Sequence, residues 1–197
     1  WIPAGAKDFF SSLSLALQKE LELKELPIIA EDLGIITQDV ATLKDEFNLK
    51  GMKILQFAFN EYEYKSENVT NPYLPHNIEE KSVVYTGTHD NDTTKGWVEK
   101  LKSETRDFIR KYLGLKNISA DEDIVRGMIR ACLSSRAELA IVPIQDFCLL
   151  GSESRMNIPG TAEGNWQWRM RDKMLKEDII NDIADTAVIY GRYNKIG

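Results

Sequence analysis

The sequence predicts an α/β fold built on a parallel sheet, and two observations carry that expectation. Pro27-Ile28-Ile29-Ala30, Val83-Val84-Tyr85 and residues 139–142 are short, continuous apolar runs, and residues 52–59 are mostly apolar, the pattern of strands buried on both faces. Between them lie stretches with apolar residues at helical spacing, so strand and helix alternate as in βαβ units.

The elements follow in order. Residues 1–6 read as a loop, after which Asp8 is expected to cap a helix carrying Phe9, Phe10, Leu13, Leu17 and Leu21 on one face. Residues 28–30 form the first strand, closed by Glu31-Asp32-Leu33-Gly34. Thr37 caps a second helix bearing Val40, Leu43 and Phe47, which Asn48 and Gly51 end. The second strand is expected over 52–59. Residues 60–81 are polar, aromatic and proline-bearing, a loop of the length that compact domains reserve for function.

Residues 82–85 form the third strand, and 97–101 and 103–113 are helical with Gly114 as the stop. Ser119-Ala120-Asp121-Glu122 has a capping-box pattern and opens a helix that turns Ile124, Met128 and Cys132 inward. The fourth strand, 139–142, ends at Pro143 and is followed by Gln145-Asp146. A polar loop over 151–164 and a helix over 176–192 complete the chain, which is expected to form a single domain, 1–197.

Composition narrows the function. The 197 residues are 43% hydrophobic and 28% charged, enough apolar mass for one core, and the formal net charge is -6. That balance disfavours nucleic acid or an anionic membrane as partner, since both require a basic face, whereas a neutral substrate suits it. No apolar run approaches the ~20 residues of a membrane span, and no signal-like leader is seen, so the expected location is cytoplasmic. Cys132 and Cys148 lie in apolar settings without a Cys-x-x-Cys partner and read as buried free thiols. Two histidines cannot build a histidine-rich metal site, and no phosphate-cradling glycine motif is present, so no cofactor is expected. The chain opens at Trp1 without a methionine, as a processed chain or a piece of a longer one would.

Active sites of parallel α/β sheets sit at the carboxyl ends of the strands. Two such ends are rich in chemistry: Glu31-Asp32 after the first strand, and Thr86-Gly87-Thr88-His89-Asp90-Asn91-Asp92-Thr93 after the third. Glu31 and Asp90 are therefore expected to face one cavity. The apolar residues before Glu31 suit a group that must hold a proton, while the polar surroundings of Asp90 suit an ionised carboxylate. Asp32, the next residue along a strand, is expected to point away from the cavity, and Asp92 to cap the following helix.

Five segments in order carry a family resemblance: Ile29 through Gly34; Gly51-Met52-Lys53-Ile54-Leu55-Gln56-Phe57-Ala58-Phe59; Asn71-Pro72-Tyr73-Leu74-Pro75-His76; Tyr85 through Thr93; and Asn165-Trp166-Gln167-Trp168-Arg169. The chain resembles the amylomaltases, 4-α-glucanotransferases of the α-amylase clan, over residues 1–192. The resemblance implies that its strands are the fifth to eighth of a (β/α)8 TIM barrel, which makes this chain the carboxyl-terminal half; a full barrel takes ~250 residues. It further implies retaining transfer of an α-1,4-glucan segment to a glucose or glucan acceptor. Glu31 would be the general acid/base and Asp90 the transition-state stabiliser, with His89, Asn91 and Asn157 binding substrate hydroxyls. The nucleophilic aspartate of that family lies upstream of the first strand here, in an Arg-x-Asp-His stretch that this chain does not contain.

The implied partners are α-1,4-glucans, maltooligosaccharides, glucose and an amino-terminal barrel half, with self-association expected of an isolated half. Loops 60–81 and 151–164 would line the cleft. Tyr62, Tyr64, Tyr73, Trp166 and Trp168 are candidates for stacking on sugar rings, and the Asn165–Arg169 segment is also a candidate structural clasp. Two other readings compete: a glucan-binding half that gains activity only on pairing, and a hydrolytic metal site built from Glu31, Asp32, His89, Asp90 and Asp92.

Overall fold

The computed structural model describes residues 5–23, 25–59 and 71–193. Residues 1–4 and residues 60–70 of the 60–81 loop, Tyr62 and Tyr64 among them, lie outside the described residues. Four strands, β1 (Ile29–Ala30), β2 (Lys50–Ile54), β3 (Ser82–Tyr85) and β4 (Leu139–Ile141), form one sheet in the order β1-β2-β3-β4. Every neighbouring pair is parallel. Parallel neighbours require crossovers, and helices supply them. Helix α1 (Ala6–Leu21) precedes β1 and α2 (Gln38–Glu46) joins β1 to β2. Past β3 come α4 (Thr94–Lys100), α5 (Ser103–Tyr112) and α6 (Asp121–Ser134), and α8 (Glu177–Ile189) follows the short α7 (Ile144–Phe147) beyond β4.

The sequence reading needs correction at β2. The apolar run expected as a strand over 52–59 leaves the sheet after Ile54 and turns into α3 (Leu55–Ala58). Leu55, Ala58 and Phe59 are all but fully buried, and their spacing places them on one side of a helical turn. Interrupted only by Lys53 and Gln56, so short a run shows no clear period by which strand and buried helix can be told apart.

Burial on both faces holds at the centre of the sheet and fails at its edges. Val83 and Val84 in β3 are fully buried, whereas Ile29 in β1 and Leu139 and Ile141 in β4 are 42%, 44% and 41% exposed. Register explains which side each residue serves: Lys53, Val84 and Ala140 form one row, and Ile54, Tyr85 and Ile141 the next. Successive residues alternate faces. The face carrying Val84 packs against Val98, Ile109, Ile124, Met128 and Cys132 of α4, α5 and α6. The opposite face, with Ile29, Met52, Ile54, Tyr85 and Ile141, lines a cavity.

Several caps differ from expectation by one or more positions. Asp8 lies in the first turn of α1, whose N-cap is Gly5, so its carboxylate favours the helix N-terminus by charge instead of capping it. The N-cap of α6 is Ala120, not Ser119; Ala120 N–H donates to Asp123 Oδ2 at 3.1 Å, the only half of a capping box that alanine permits. At α4 the cap is Thr93, whose Oγ1 accepts from Gly96 N at 3.1 Å, so Asp92 is released for another task.

Beyond α8, Arg192 donates to the carbonyl oxygens of Leu133, Ser135, Ala137 and Glu138 at 2.7–3.2 Å. These are carbonyls that the end of α6 and the turn into β4 leave without helical partners. Cys132 is buried, as expected, but Cys148 is only half-buried. No helix among the described residues is long and apolar enough to cross a membrane.

Candidate active site

Glu31 and Asp90 line the same cavity, of about 650 Å³, with Tyr85, His89, Asn91 and Pro159 also on its walls. The sheet geometry puts them there. Ile29 faces the cavity, and Glu31, two residues on, keeps to that side while Asp32 takes the other. Asp32 Oδ1 accepts from Met52 N at 2.6 Å and Oδ2 pairs with Lys44 at 2.7 Å, tying the end of β1 to β2 and α2. A Cβ on Gly51 would stand 2.2 Å from Asp32 Oδ2, so this approach requires glycine in β2.

Both cavity carboxylates are exposed. For Glu31 this differs from expectation, because the apolar residues before it belong to an edge strand whose cavity side the described residues leave open to water.

Asp90 is held on several sides. Its Oδ1 accepts from Asn157 Nδ2 at 2.6 Å and lies 3.4 Å from His89 Nε2. Its carbonyl oxygen accepts from Arg155 Nη2 at 2.6 Å, and Arg155 Nε donates to the carbonyl of Asn157 at 2.7 Å. Asn157 N closes the arrangement on the carbonyl of His89 at 3.1 Å. The 151–164 loop therefore lies against the His89-Asp90 turn. Its continuation adds Trp166, whose ring stands 5.0 Å from that of His89 and whose backbone N–H donates to the carbonyl of Met156 at 2.6 Å. Trp166 holds a left-handed φ of 62°, which costs a non-glycine residue about 1 kcal/mol and persists because these contacts over-determine it.

Asn91 lines the cavity, but its Oδ1 accepts from both Thr88 N and Thr88 Oγ1 at 2.9 Å and so closes the turn from within. Asp92 faces elsewhere: its carboxylate bonds Thr93 N, Ser152 Oγ and Lys100, clasping α4 to the start of the 151–164 loop. With Asp32 and Asp92 each turned into a lysine pair, the five residues of the metal reading do not converge. Tyr73 packs its ring edge-on to Phe57 and lies against the core.

Sequence reasoning missed Arg155 and Asp146. The first is a lone arginine in a loop, where no period marks which backbone it will reach. The second is buried beneath the His89-Asp90 turn with its carboxylate bonded to Thr86 and Thr94.

A parallel α/β sheet with acidic side chains gathered at the carboxyl ends of its strands defines the class of α/β proteins whose chemistry sits on the loops at that edge. Comparison with known proteins specifies the class further. The family model described as 4-alpha-glucanotransferase matches residues 1–176, and the chain belongs to this family. It is 45% identical over 98% of its length to the 4-alpha-glucanotransferase of Synechocystis, and 43% identical over 98% to the chloroplastic/amyloplastic 4-alpha-glucanotransferase of Solanum tuberosum. It covers 35% and 31% of those two proteins, so it spans about a third of the length of these relatives. The structure is similar to that of the amylomaltase from Streptococcus agalactiae in complex with acarbose, with a TM-score of 0.84 and 32% identity over 98% of this chain and 36% of that one. The Corynebacterium glutamicum amylomaltase, 16% identical with a TM-score of 0.59 over 81% of this chain and 28% of that one, shares the fold.

Proposed function

We propose that this chain is the carboxyl-terminal part of a 4-α-glucanotransferase that transfers a segment of an α-1,4-glucan, with retention, to glucose or a maltooligosaccharide. The observation that carries this reading is the shared cavity of Glu31 and Asp90 in a chain of this family. Glu31 protonates the glycosidic oxygen and later deprotonates the acceptor, and Asp90 stabilises the positive charge of the oxocarbenium-like centre. His89, Asn91 and Asn157 bind sugar hydroxyls. The nucleophilic carboxylate comes from outside this chain, so the isolated chain is inactive.

The four strands form the carboxyl-terminal half of a (β/α)8 barrel within a single domain, and the 60–81 and 151–164 loops line its cleft. The partner is the amino-terminal half; without it, the exposed Ile29, Leu139 and Ile141 favour self-association. The location proposed with this reading is cytoplasmic. The decisive assay is maltotriose disproportionation by the full-length protein beside its Glu31→Gln and Asp90→Asn variants. Losses of at least about 1,000-fold at an unchanged melting temperature are expected, and variants that keep wild-type rates would refute the assignment.

A further inference from the structure

Asp146, in α7, is 1% exposed, and its carboxylate bonds Thr86 and Thr94, neither of them assigned to the chemistry. Its Oδ2 accepts from Thr86 Oγ1 at 2.6 Å and from Thr94 Oγ1 at 2.7 Å, and its Oδ1 accepts from Thr94 N at 2.7 Å. Thr86 is the first residue beyond β3 and Thr94 the first of α4. Between these anchors runs the turn that carries His89 and Asp90. A side chain from the next strand-helix unit thus holds both ends of that turn at one point.

The donor set explains why the residue is an aspartate. Two hydroxyls and a backbone N–H converge on it, and a carboxylate offers two accepting oxygens to them, whereas a side-chain amide offers one and would have to turn a hydroxyl round to accept. Burial pushes the Asp146 carboxyl above its ordinary pKa, and the bonds from Thr86 and Thr94 offset part of that cost. We infer that Asp146 is a positioning residue for Asp90: it fixes the base of the His89-Asp90 turn, so that the Asp90 carboxylate stays where the glucan's developing charge would lie. This rests on the function proposed above for the direction of the effect on rate, but not for the hold on the turn.

The test uses the full-length protein with Asp146→Asn, Thr86→Val and Thr86→Ser. Hydrogen exchange by mass spectrometry is expected to rise about tenfold in peptides spanning 87–93 in the first two variants, with peptides of α6 unchanged. In the same variants kcat for glucan transfer is expected to fall about tenfold or more while KM moves less than about twofold, the split of an effect felt in the transition state. Thr86→Ser, which keeps the hydroxyl, restores both readouts. Should Asp146→Asn fail to fold, Thr86→Val carries the test. A turn that exchanges at the wild-type rate in the folded variants overturns the inference, whether or not the protein transfers glucan. Wild-type protein without transfer activity counts against the proposed function alone, and the exchange result still decides the hold on the turn.

Discussion

Asn157 donates its side-chain amide to Asp90 Oδ1 at 2.6 Å, joining the turn after β3 to the loop after β4. A hydrogen bond to a charged group contributes about 1.5–3 kcal/mol. Asn157→Ala in the full-length protein is therefore expected to lower kcat/KM for maltotriose by about 10- to 100-fold. Asn157→Asp should do more harm, since it sets a second carboxylate against that of Asp90 and the two repel. Initial rates of glucose release check both, and an Asn157→Asp rate above that of Asn157→Ala would contradict the arrangement.

The pair of Lys44 with Asp32 gives a pH dependence of known sign. Burial alone would lower the Lys44 pKa, but the hydrogen bond and charge of Asp32 outweigh it and hold the ammonium above its ordinary value. A lysine whose folded pKa is raised contributes stability that is fully present below the unfolded value, about 10.4, and lost as pH rises through the folded one. Lys44→Met should thus lower the melting temperature at pH 7 and 8, with the gap to wild type narrowing above about pH 10.4. Melting curves across that range measure it.

The two thiols should differ in reactivity. Burial pushes the Cys132 thiol up to about 12, and its Sγ lies against the carbonyl of Val84, whereas Cys148 is half-buried. Thiolate is the reacting form, so iodoacetamide at pH 8 should label Cys148 slowly and Cys132 only after denaturation. Peptide mass spectrometry distinguishes the sites.

Arg192 should matter to stability far more than an ordinary loop residue. Its guanidinium serves four carbonyls around the end of α6, and Arg192→Ala leaves them without it. A loss of about 2–3 kcal/mol is expected from charge-assisted bonds of this kind. Arg192→Lys should recover only part, because an ammonium cannot reproduce the planar fork. Urea unfolding of the three proteins checks the order.

Much of the fold was legible along the chain because its period survives in the residue order. The third strand, 82–85, falls where the apolar run Val83-Val84-Tyr85 predicts it, and α6 buries Ile124, Met128 and Cys132 as their spacing requires. Strand alternation also separated Glu31 from Asp32 before any coordinates. The misses are local. Residues 55–59 are apolar apart from Gln56 and too few to show a readable period, and the caps of α4 and α6 depend on which of several adjacent polar residues reaches the backbone.

Local order along the chain was enough to determine the parallel α/β class and the two acidic strand ends, because side-chain alternation and helical spacing are properties of neighbours. Which side chains meet across the sheet edge was decided only in three dimensions. Arg155 and Asn157 reach Asp90, and Asp146 reaches Thr86 and Thr94, over separations of more than fifty residues. No pattern of neighbours encodes such pairs, since they depend on the register of β3 against β4 and on the path of the loop that β4 leads into.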